Sequence, residues 1–170
     1  MLSKRHWSAL GLAAATAAFW ASSGSAITAP SHFSLLDVAG NNTPPIDGFT
    51  FNRPPVAGDR FEVRDTLYHW KGTKRGARAG FVEGVATFLS GFGSDFSRRA
   101  RVLFTVEAHL NGGAVIVEGI GSVNPRGPSR FTFPITGGTG IYANARGYVT
   151  VRDLGTGEGN NSNVDIHLMP

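Results

Sequence analysis

One aspartate interrupts an apolar strand pattern and is the first candidate for chemistry in this sequence. In residues 58–69, Phe61, Val63, Asp65 and Leu67 alternate with polar residues and therefore share one strand face. A carboxylate on an apolar face is costly to bury unless it is paired or protonated. Its pKa then tends to rise, which suits a general acid or base. The alternative is a structural carboxylate that accepts backbone hydrogen bonds or pairs with an arginine.

Asp37 and Arg146 complete the predicted catalytic set. Asp37 ends the alternating run Phe33, Leu35, Asp37, and two inward carboxylates on neighbouring strands would form a general acid/base pair. The alternative for Asp37 is an exposed residue at a strand end. Arg146 shares its strand face with Tyr148, and this polar face is either the ligand side or the solvent side.

Five residues are predicted to bind substrate. Tyr142 and Tyr148 can donate hydrogen bonds to a substrate oxygen or stack on a ring, with packing at a barrel rim as the alternative. Glu83 interrupts an apolar strand face, with a solvent-side position as its alternative. Phe61 and Val63 flank Asp65 on the same strand face.

Several other chemistries lack support in the sequence. There is no cysteine, and no histidine pair has the spacing of a known metal motif, so we predict no metal site and no cofactor. The glycine-rich run 137–140 is followed by neither Lys-Ser/Thr nor a helix, which argues against a phosphate loop. No Gly-x-Ser-x-Gly motif supports serine hydrolysis.

The elements that must position these residues are strands. Eight short runs alternate or are rich in β-branched and aromatic residues, and they are predicted at 33–38, 58–69, 79–89, 100–110, 114–122, 131–135, 143–153 and 164–168. Asn111 and Gly112 mark a hairpin, and Gly137 to Gly140 are expected to supply the positive φ angles of a tight turn. This spacing predicts an all-β domain, either an up-and-down barrel or a sandwich.

The N-terminal residues have the layout of a secretory signal peptide. Lys4 and Arg5 precede an apolar run and then small residues that end at Ala26. We therefore predict a signal peptide at 1–26 and one domain at 27–170, with a Pro/Gly/Asn-rich loop at about 39–57. Removal of the signal peptide leaves 14 basic and 12 acidic residues. This balance does not indicate a nucleic-acid partner. A membrane anchor is the alternative for the N-terminal run.

Two stretches resemble the plant dirigent proteins and allene oxide cyclases. Residues 135–148, ITGGTGIYANARGY, resemble the signature hairpin of that group, and residues 63–68, VRDTLY, resemble the dirigent strand that carries an aspartate. The likeness extends over about residues 33–168, although the loops differ and the cysteine of the cyclase pattern is absent. Asp37 lies near the position of a first-strand carboxylate in the cyclase pattern.

The resemblance implies an eight-stranded antiparallel up-and-down β-barrel whose lumen binds an apolar, reactive small molecule. We favour a cofactor-independent cyclase or isomerase of allene oxide cyclase-like type that steers ring closure. The alternatives are a non-catalytic dirigent-like barrel that directs an intermediate made by a partner oxidase, and a structural or interaction barrel of the cell envelope. The expected location is secreted or periplasmic, with no stable membrane span after processing. Because members of this group often form dimers or trimers, the resemblance also implies a possible homodimer or homotrimer.

The signal-peptide prediction is tested by the intact mass of exported protein. We expect the mass of a chain that begins at Ile27, because the small residues before Ile27 suit cleavage after Ala26. Cleavage after Ala29 is the second choice. A membrane-bound product that retains Met1 would support the anchor instead.

Overall fold

The computed structural model describes residues 29–39, 45–46, 53–72, 74–94, 96–124, 126–154 and 161–170. The predicted signal peptide lies outside the described residues, as do positions 40–44 and 47–52 of the predicted loop at 39–57.

Nine strands and one turn of 3-10 helix account for the regular structure of the described residues. The strands are β1 His32–Val38, β2 Pro45–Ile46, β3 Arg60–Trp70, β4 Arg75–Phe88, β5 Ala100–Leu110, β6 Gly113–Val123, β7 Arg130–Gly138, β8 Arg146–Asp153 and β9 Ser162–Met169. The 3-10 helix is Gly140–Tyr142. The eight long strands correspond to the eight predicted runs, with their ends shifted by a few residues.

The sheet closes on itself. Its strands follow the order β1-β9-β8-β7-β6-β5-β4-β3, and β1 also pairs with β3, every neighbour being antiparallel. The predicted eight-stranded antiparallel barrel is therefore confirmed. Closure leaves the eight long strands with partners on both sides, so the barrel avoids the exposed edges of an open sheet.

The two ends of the barrel differ in their connections. At one end, which we call the short-hairpin end, β5 and β6 are joined by Asn111 and Gly112, and Gly112 has the positive φ of 92° that such a turn requires. At the other end, which we call the long-loop end, β4 and β5 are separated by residues 89–99, and β8 and β9 by residues 154–161.

Alternation along each strand directs one set of apolar side chains inward. A first buried cluster, which includes Leu35, Val115 and Ile166, packs across the barrel. A second cluster fills part of the long-loop end and consists of Ala86, Phe88, Phe92, Ala100 and Val102. Burial of these apolar surfaces supplies the main stabilising free energy of the fold.

The connection between β7 and β8 differs from the predicted tight turn. Gly137 and Gly138 belong to β7, and of the three glycines in this run only Gly140 has a positive φ, of 59°. The chain then makes the 3-10 turn and reaches β8 at Arg146. The predicted start of this strand at Ala143 was therefore wrong. Backbone hydrogen bonds hold this turn, from the Tyr142 N–H to the Thr139 carbonyl oxygen and from the Ala143 N–H to the Gly140 carbonyl oxygen, and the side chain of Tyr142 is buried there.

The predicted loop at 39–57 contains a short strand. β2 pairs with the start of β3 through Pro45 opposite Phe61 and Ile46 opposite Arg60. A proline is compatible with this position because β2 has a strand partner on one side only among the described residues. The prolines of residues 39–57 thus predicted a loop, but they did not indicate the pairing of β2 with β3.

Glycine substitutions in the β7–β8 connection test this geometry. A Cβ at Gly140 would lie 2.0 Å from the Gly112 carbonyl oxygen, and one at Gly138 would lie 2.3 Å from the Tyr142 carbonyl oxygen. We expect Gly138→Ala and Gly140→Ala each to lower the free energy of unfolding by about 2 kcal/mol or more, because backbone atoms must move apart.

Gly137→Ala is the matched control in the same segment. The nearest atom to a Cβ there is Cδ1 of Ile116 at 3.8 Å, which is ordinary contact. Urea denaturation of the three variants should therefore separate Gly137→Ala from the other two. Equal stability of all three would contradict the close approach described here.

Candidate functional site

The barrel encloses a cavity of about 270 Å³ that is apolar on most of its wall. Of the twenty described residues that line it, seventeen are apolar, and the three polar ones are Asp37, Asp65 and Ser162. At the packing density of protein interiors, this volume accommodates roughly 200 Å³ of ligand, the size of two or three fused rings. A small apolar molecule therefore fits the barrel lumen.

The three polar side chains lie on adjacent strands. Asp37 of β1 is opposite Ser162 of β9 on one side and opposite Leu67 of β3 on the other. Asp65 lies two residues before Leu67 on the same strand face, which makes it a diagonal neighbour of Asp37. Such neighbours have Cα atoms about 7–8 Å apart. The two carboxyl groups thus form one polar wall, which we call the carboxyl wall: Asp37, Asp65 and Ser162.

The environment of Asp37 favours its protonated form. Burial, and to a smaller extent the negative charge of Asp65, together raise the pKa of Asp37 to about 8. Oδ1 of Asp37 is buried and has no hydrogen-bond partner among the described residues. Asp37 is therefore a neutral carboxylic acid at pH 7 with an oxygen that a ligand can engage.

Aromatic rings form the opposite wall of the cavity. Phe104 of β5 packs against Phe131 and Phe133 of β7, with ring centroids 5.6 and 5.4 Å away. In the barrel order, β5 to β7 lie across from β1 and β3. We call these three rings the phenyl wall. The cavity is thus polarised, with acids on one side and aromatic surface on the other.

Two glycines of β6 make room for the phenyl wall. A Cβ at Gly119 would lie 2.5 Å from Cδ1 of Phe133, and one at Gly121 would lie 2.5 Å from Cδ1 of Phe131. The rings therefore lie against bare backbone instead of projecting further into the lumen. These glycines contribute to the volume of the cavity by letting the rings pack closely.

The structure brings four of the eight predicted site residues to the cavity. Asp37, Asp65, Phe61 and Val63 all line it, because β1 and β3 turn the faces carrying these residues inward. The second carboxyl group of the predicted catalytic set, Asp37, has a raised pKa. The alternative of an exposed Asp37 at a strand end does not match its position in the lumen.

Arg146 and Tyr148 lie on the outer face of β8. Val149 and Val151 line the cavity instead, so the polar face of this strand is its solvent face. The Arg146 side chain is exposed and donates a hydrogen bond to the Ala145 carbonyl oxygen at 3.0 Å. Tyr148 stacks on His167 with ring centroids 4.5 Å apart. Neither side chain reaches the cavity, which corrects the predicted roles of both.

Glu83 and Tyr142 are also outside the cavity. Glu83 lies on the outer face of β4, where its Oε1 is 3.0 Å from Nε2 of His109, while its neighbour Val82 faces the lumen. Tyr142 is buried at the short-hairpin end, its ring centroid 6.3 Å from that of Phe33. Burial raises the pKa of Tyr142. Its position agrees with rim packing, the alternative considered for it.

Several residues of the site were not predicted from the sequence. Ser162 follows a glycine-rich loop and gave no pattern of its own. Phe131 and Phe133 were recognised as strand residues, and their shared parity is a signal that could have placed them on one wall. Gly119 and Gly121 share the same parity on β6, which could have indicated space for facing rings.

The described residues contain neither a metal cluster nor a membrane-spanning helix. No group of three or more His, Asp or Glu side chains in the described ranges is arranged to hold a metal ion. No helix within those same ranges is long and apolar enough to cross a bilayer.

Comparisons with known proteins support the barrel type. No family model matches the chain, and no curated protein matches it in sequence. Among solved structures, a pyocyanin demethylase has a TM-score of 0.57 and 24% identity, covering 81% of this chain and 99% of its own. A pterocarpan synthase dirigent protein has a TM-score of 0.57 and 15% identity, with coverages of 81% and 92%.

A third similar structure is an exo-specific intermolecular Diels-Alderase. Its TM-score is 0.56 and its identity 17%, and the match covers 82% of this chain and 98% of that protein. The likeness to dirigent proteins that the sequence suggested is therefore confirmed for the fold. At these identities the similarity shows the fold alone.

The buried acid makes stability depend on pH. Unfolded Asp37 releases its proton near pH 3.8, whereas the folded protein holds it until about pH 8. The stability that this proton contributes is complete below the lower value and is lost as the pH rises toward the upper one. The slope is at most about 1.4 kcal/mol per pH unit.

Asp37→Asn tests this dependence because asparagine does not ionise. We expect its free energy of unfolding to fall less steeply than that of the parent from about pH 5 to 8, and to exceed it at pH 8. Urea denaturation at several pH values measures both curves. Parallel curves would show that Asp37 is ionised in the folded protein.

Proposed function

We propose that this protein is a cofactor-independent cyclase or isomerase that acts on an apolar small molecule in the barrel lumen. The observation that carries the proposal is the pair Asp37 and Asp65 on one wall of an otherwise apolar cavity. Two neighbouring carboxyl groups whose proton affinities are driven apart are a common arrangement for combined acid and base chemistry.

The two aspartates take different roles. Neutral Asp37 donates its proton to an epoxide or carbonyl oxygen of the substrate as ring closure begins. The substrate then develops positive charge, which the negative charge of Asp65 on the same wall stabilises. Asp65 accepts the proton that leaves as the ring closes, so the substrate is isomerised without loss of atoms. Proton return from Asp65 to Asp37 restores the starting state.

The phenyl wall contributes to catalysis by positioning the substrate. A flexible substrate held against Phe104, Phe131 and Phe133 adopts one folded conformer, and such positioning lowers the entropy cost of ring closure. The fold similarity to an intermolecular Diels-Alderase and a pterocarpan synthase dirigent protein supports a role in forming rings or bonds. The pyocyanin demethylase shows that similar barrels also serve other chemistry.

A non-catalytic steering barrel is the second candidate. The dirigent likeness favours it, because a lumen with one polar wall and one aromatic wall can fix the face at which a reactive intermediate couples. In that case a partner oxidase would make the intermediate outside this protein. Both proposals place the protein in a secreted or periplasmic setting, supported by the basic, apolar and small-residue order of its first 26 residues.

The proposals are separated by rate and stereochemistry. Purified protein is supplied with three classes of substrate: an aryl epoxide with a pendant hydroxyl, a quinone methide precursor, and a diene with a dienophile. Product formation is followed against buffer, and enantiomeric excess is read by chiral chromatography. A catalyst increases the rate, whereas a steering barrel changes the enantiomeric excess alone.

Asp65→Asn is expected to reduce turnover by about 100-fold or more, the usual effect of losing a general acid or base. Glu118→Gln is the matched control, because Glu118 is exposed on β6 with a parity opposite to that of the cavity-lining Val115 and Val117. Thermal melts of both variants should resemble the parent. A stable Asp65→Asn protein with full turnover would exclude the catalytic role of Asp65.

A further inference from the structure

We propose that the long-loop end of the barrel docks on the surface of an anionic lipid membrane. Three exposed apolar side chains, Val56, Leu89 and Phe96, enter the layer between the lipid head groups and the acyl chains, and arginines beside them contact the head groups. We call these three side chains the apolar tip. This inference concerns the outside of the barrel and does not depend on the catalytic proposal.

Two packed loops, residues 53–59 and 89–99, carry the apolar tip. Their backbones approach so closely that a Cβ at Gly91 would lie 2.1 Å from the carbonyl oxygen of Pro55 and 3.0 Å from the Cα atom of Val56. Val56 is therefore held beside the loop that carries the other two members of the tip. The three side chains belong to one surface and are not scattered over the barrel.

Phe96 is exposed in a backbone conformation that is unfavourable for a phenylalanine. Its φ is 55°, in the left-handed region that glycine and asparagine adopt more readily than a bulky residue. Its exposed fraction is nevertheless 42%, compared with 54% for Val56 and 40% for Leu89. A bulky residue held in such a conformation often marks a functional position. The loop thus presents a phenyl ring to the solvent at some cost in backbone energy.

A row of four phenyl rings connects the apolar tip to the lumen. Phe96 stacks on Phe92 with ring centroids 5.7 Å apart, and the ring of Phe92 lies 5.8 Å from that of Phe88. Phe88 in turn lies 5.8 Å from Phe61, which lines the cavity. The exposed ring is therefore joined to the cavity wall by continuous apolar contact. Docking would place this end of the barrel against the layer in which apolar molecules concentrate.

Arginines lie beside the apolar tip. The Arg98 N–H donates a hydrogen bond to the carbonyl oxygen of Phe92 at 2.9 Å, and the Leu89 N–H donates one to the carbonyl oxygen of Arg101 at 2.7 Å. Arginine pairs well with phosphate oxygens, and basic residues next to a membrane are attracted by anionic lipids. The segment 89–101 carries three exposed arginines and one acidic residue: Arg98, Arg99, Arg101 and Asp95.

The small size of the tip favours a membrane over a protein partner. A stable protein–protein interface buries roughly 800 Å² on each partner, from about 20 residues or more, whereas the tip consists of three side chains on two loops. Membrane association requires only a small inserted apolar area with basic residues beside it. The short-hairpin end also carries exposed basic residues, Lys71 and Lys74. Charge alone therefore does not select an end of the barrel, and the apolar tip does.

Sedimentation of exported protein with lipid vesicles tests the proposal. We expect binding to phosphatidylcholine vesicles that contain about one third phosphatidylglycerol to be at least about tenfold tighter than binding to pure phosphatidylcholine, because the anionic lipid attracts the arginines. Salt at about 1 M should remove most of this difference, since it shortens the Debye length to about 3 Å. No binding to the anionic vesicles, or equal binding to both kinds, would overturn the proposal.

Two double variants assign the binding to the long-loop end. Leu89→Ser/Phe96→Asn removes two members of the tip, and asparagine suits the left-handed backbone at position 96. Arg98→Gln/Arg99→Gln removes two exposed charges. Each double variant should bind the anionic vesicles about tenfold more weakly than the parent or worse. If the first variant does not fold, the arginine variant decides, because its two side chains are exposed.

Matched controls lie at the short-hairpin end. Met169→Ser removes an apolar side chain that is 57% exposed, and Lys71→Gln/Lys74→Gln removes two exposed charges. Both should bind within about twofold of the parent, because β3, which is 11 residues long, separates the two ends by more than a Debye length. Weaker binding by these controls, or unchanged binding by the variants of the long-loop end, would contradict the proposed orientation.

A fluorescent reporter measures the depth of the tip. Phe96→Trp places an indole in the tip, and brominated phosphatidylcholine quenches indoles that reach the acyl chains. On anionic vesicles that contain this lipid, the added emission should move to shorter wavelength and be quenched. Trp70, at the short-hairpin end of β3, should be unaffected in the parent. Quenching of Trp70, or an indole at position 96 that stays unquenched, would overturn the proposal.

Discussion

The pairing of β1 with β3 is the interaction on which the site depends. It joins the first and last strands of the sheet order through four residue pairs, from Leu35 opposite His69 to Val38 opposite Thr66. Without it, Asp37 and Asp65 would lie at opposite edges of an open sheet, each accessible to water. Closure makes them neighbours and encloses them with apolar side chains. The electrostatic coupling of the two acids is therefore a consequence of the barrel topology.

Placing two acids in an apolar lumen has an energetic cost that the barrel must offset. One cluster of buried side chains surrounds the cavity and a second fills part of the long-loop end, while the middle of the barrel remains unfilled. A packed middle would bury more apolar surface and would be more stable. Protonation of Asp37 reduces the cost, since a neutral carboxylic acid is easier to bury than a carboxylate. Functional sites often retain such local instability.

Much of the fold was predictable because β-strands have a strict period of two. The alternating runs located all eight barrel strands, and Asn111 with Gly112 located a hairpin. The same alternation placed Phe61, Val63 and Asp65 together on one face, and the structure retains that grouping in the cavity. The glycine-rich run at 137–140 was harder to interpret, because Gly138 is required for a close approach to Tyr142 and adopts ordinary strand geometry.

The sequence by itself determined the strands, their two faces and the presence of acids within apolar alternation, because these depend on neighbouring residues. It did not determine which face of each strand points inward. On β8 the polar face that carries Arg146 and Tyr148 is outside, and only closure of the barrel decides this. The raised pKa of Asp37 likewise depends on tertiary structure, because it arises from burial and from Asp65, a residue 28 positions away that β1–β3 pairing brings near. Long-range contacts of this kind leave no local pattern, since they are selected by the packing of the whole barrel.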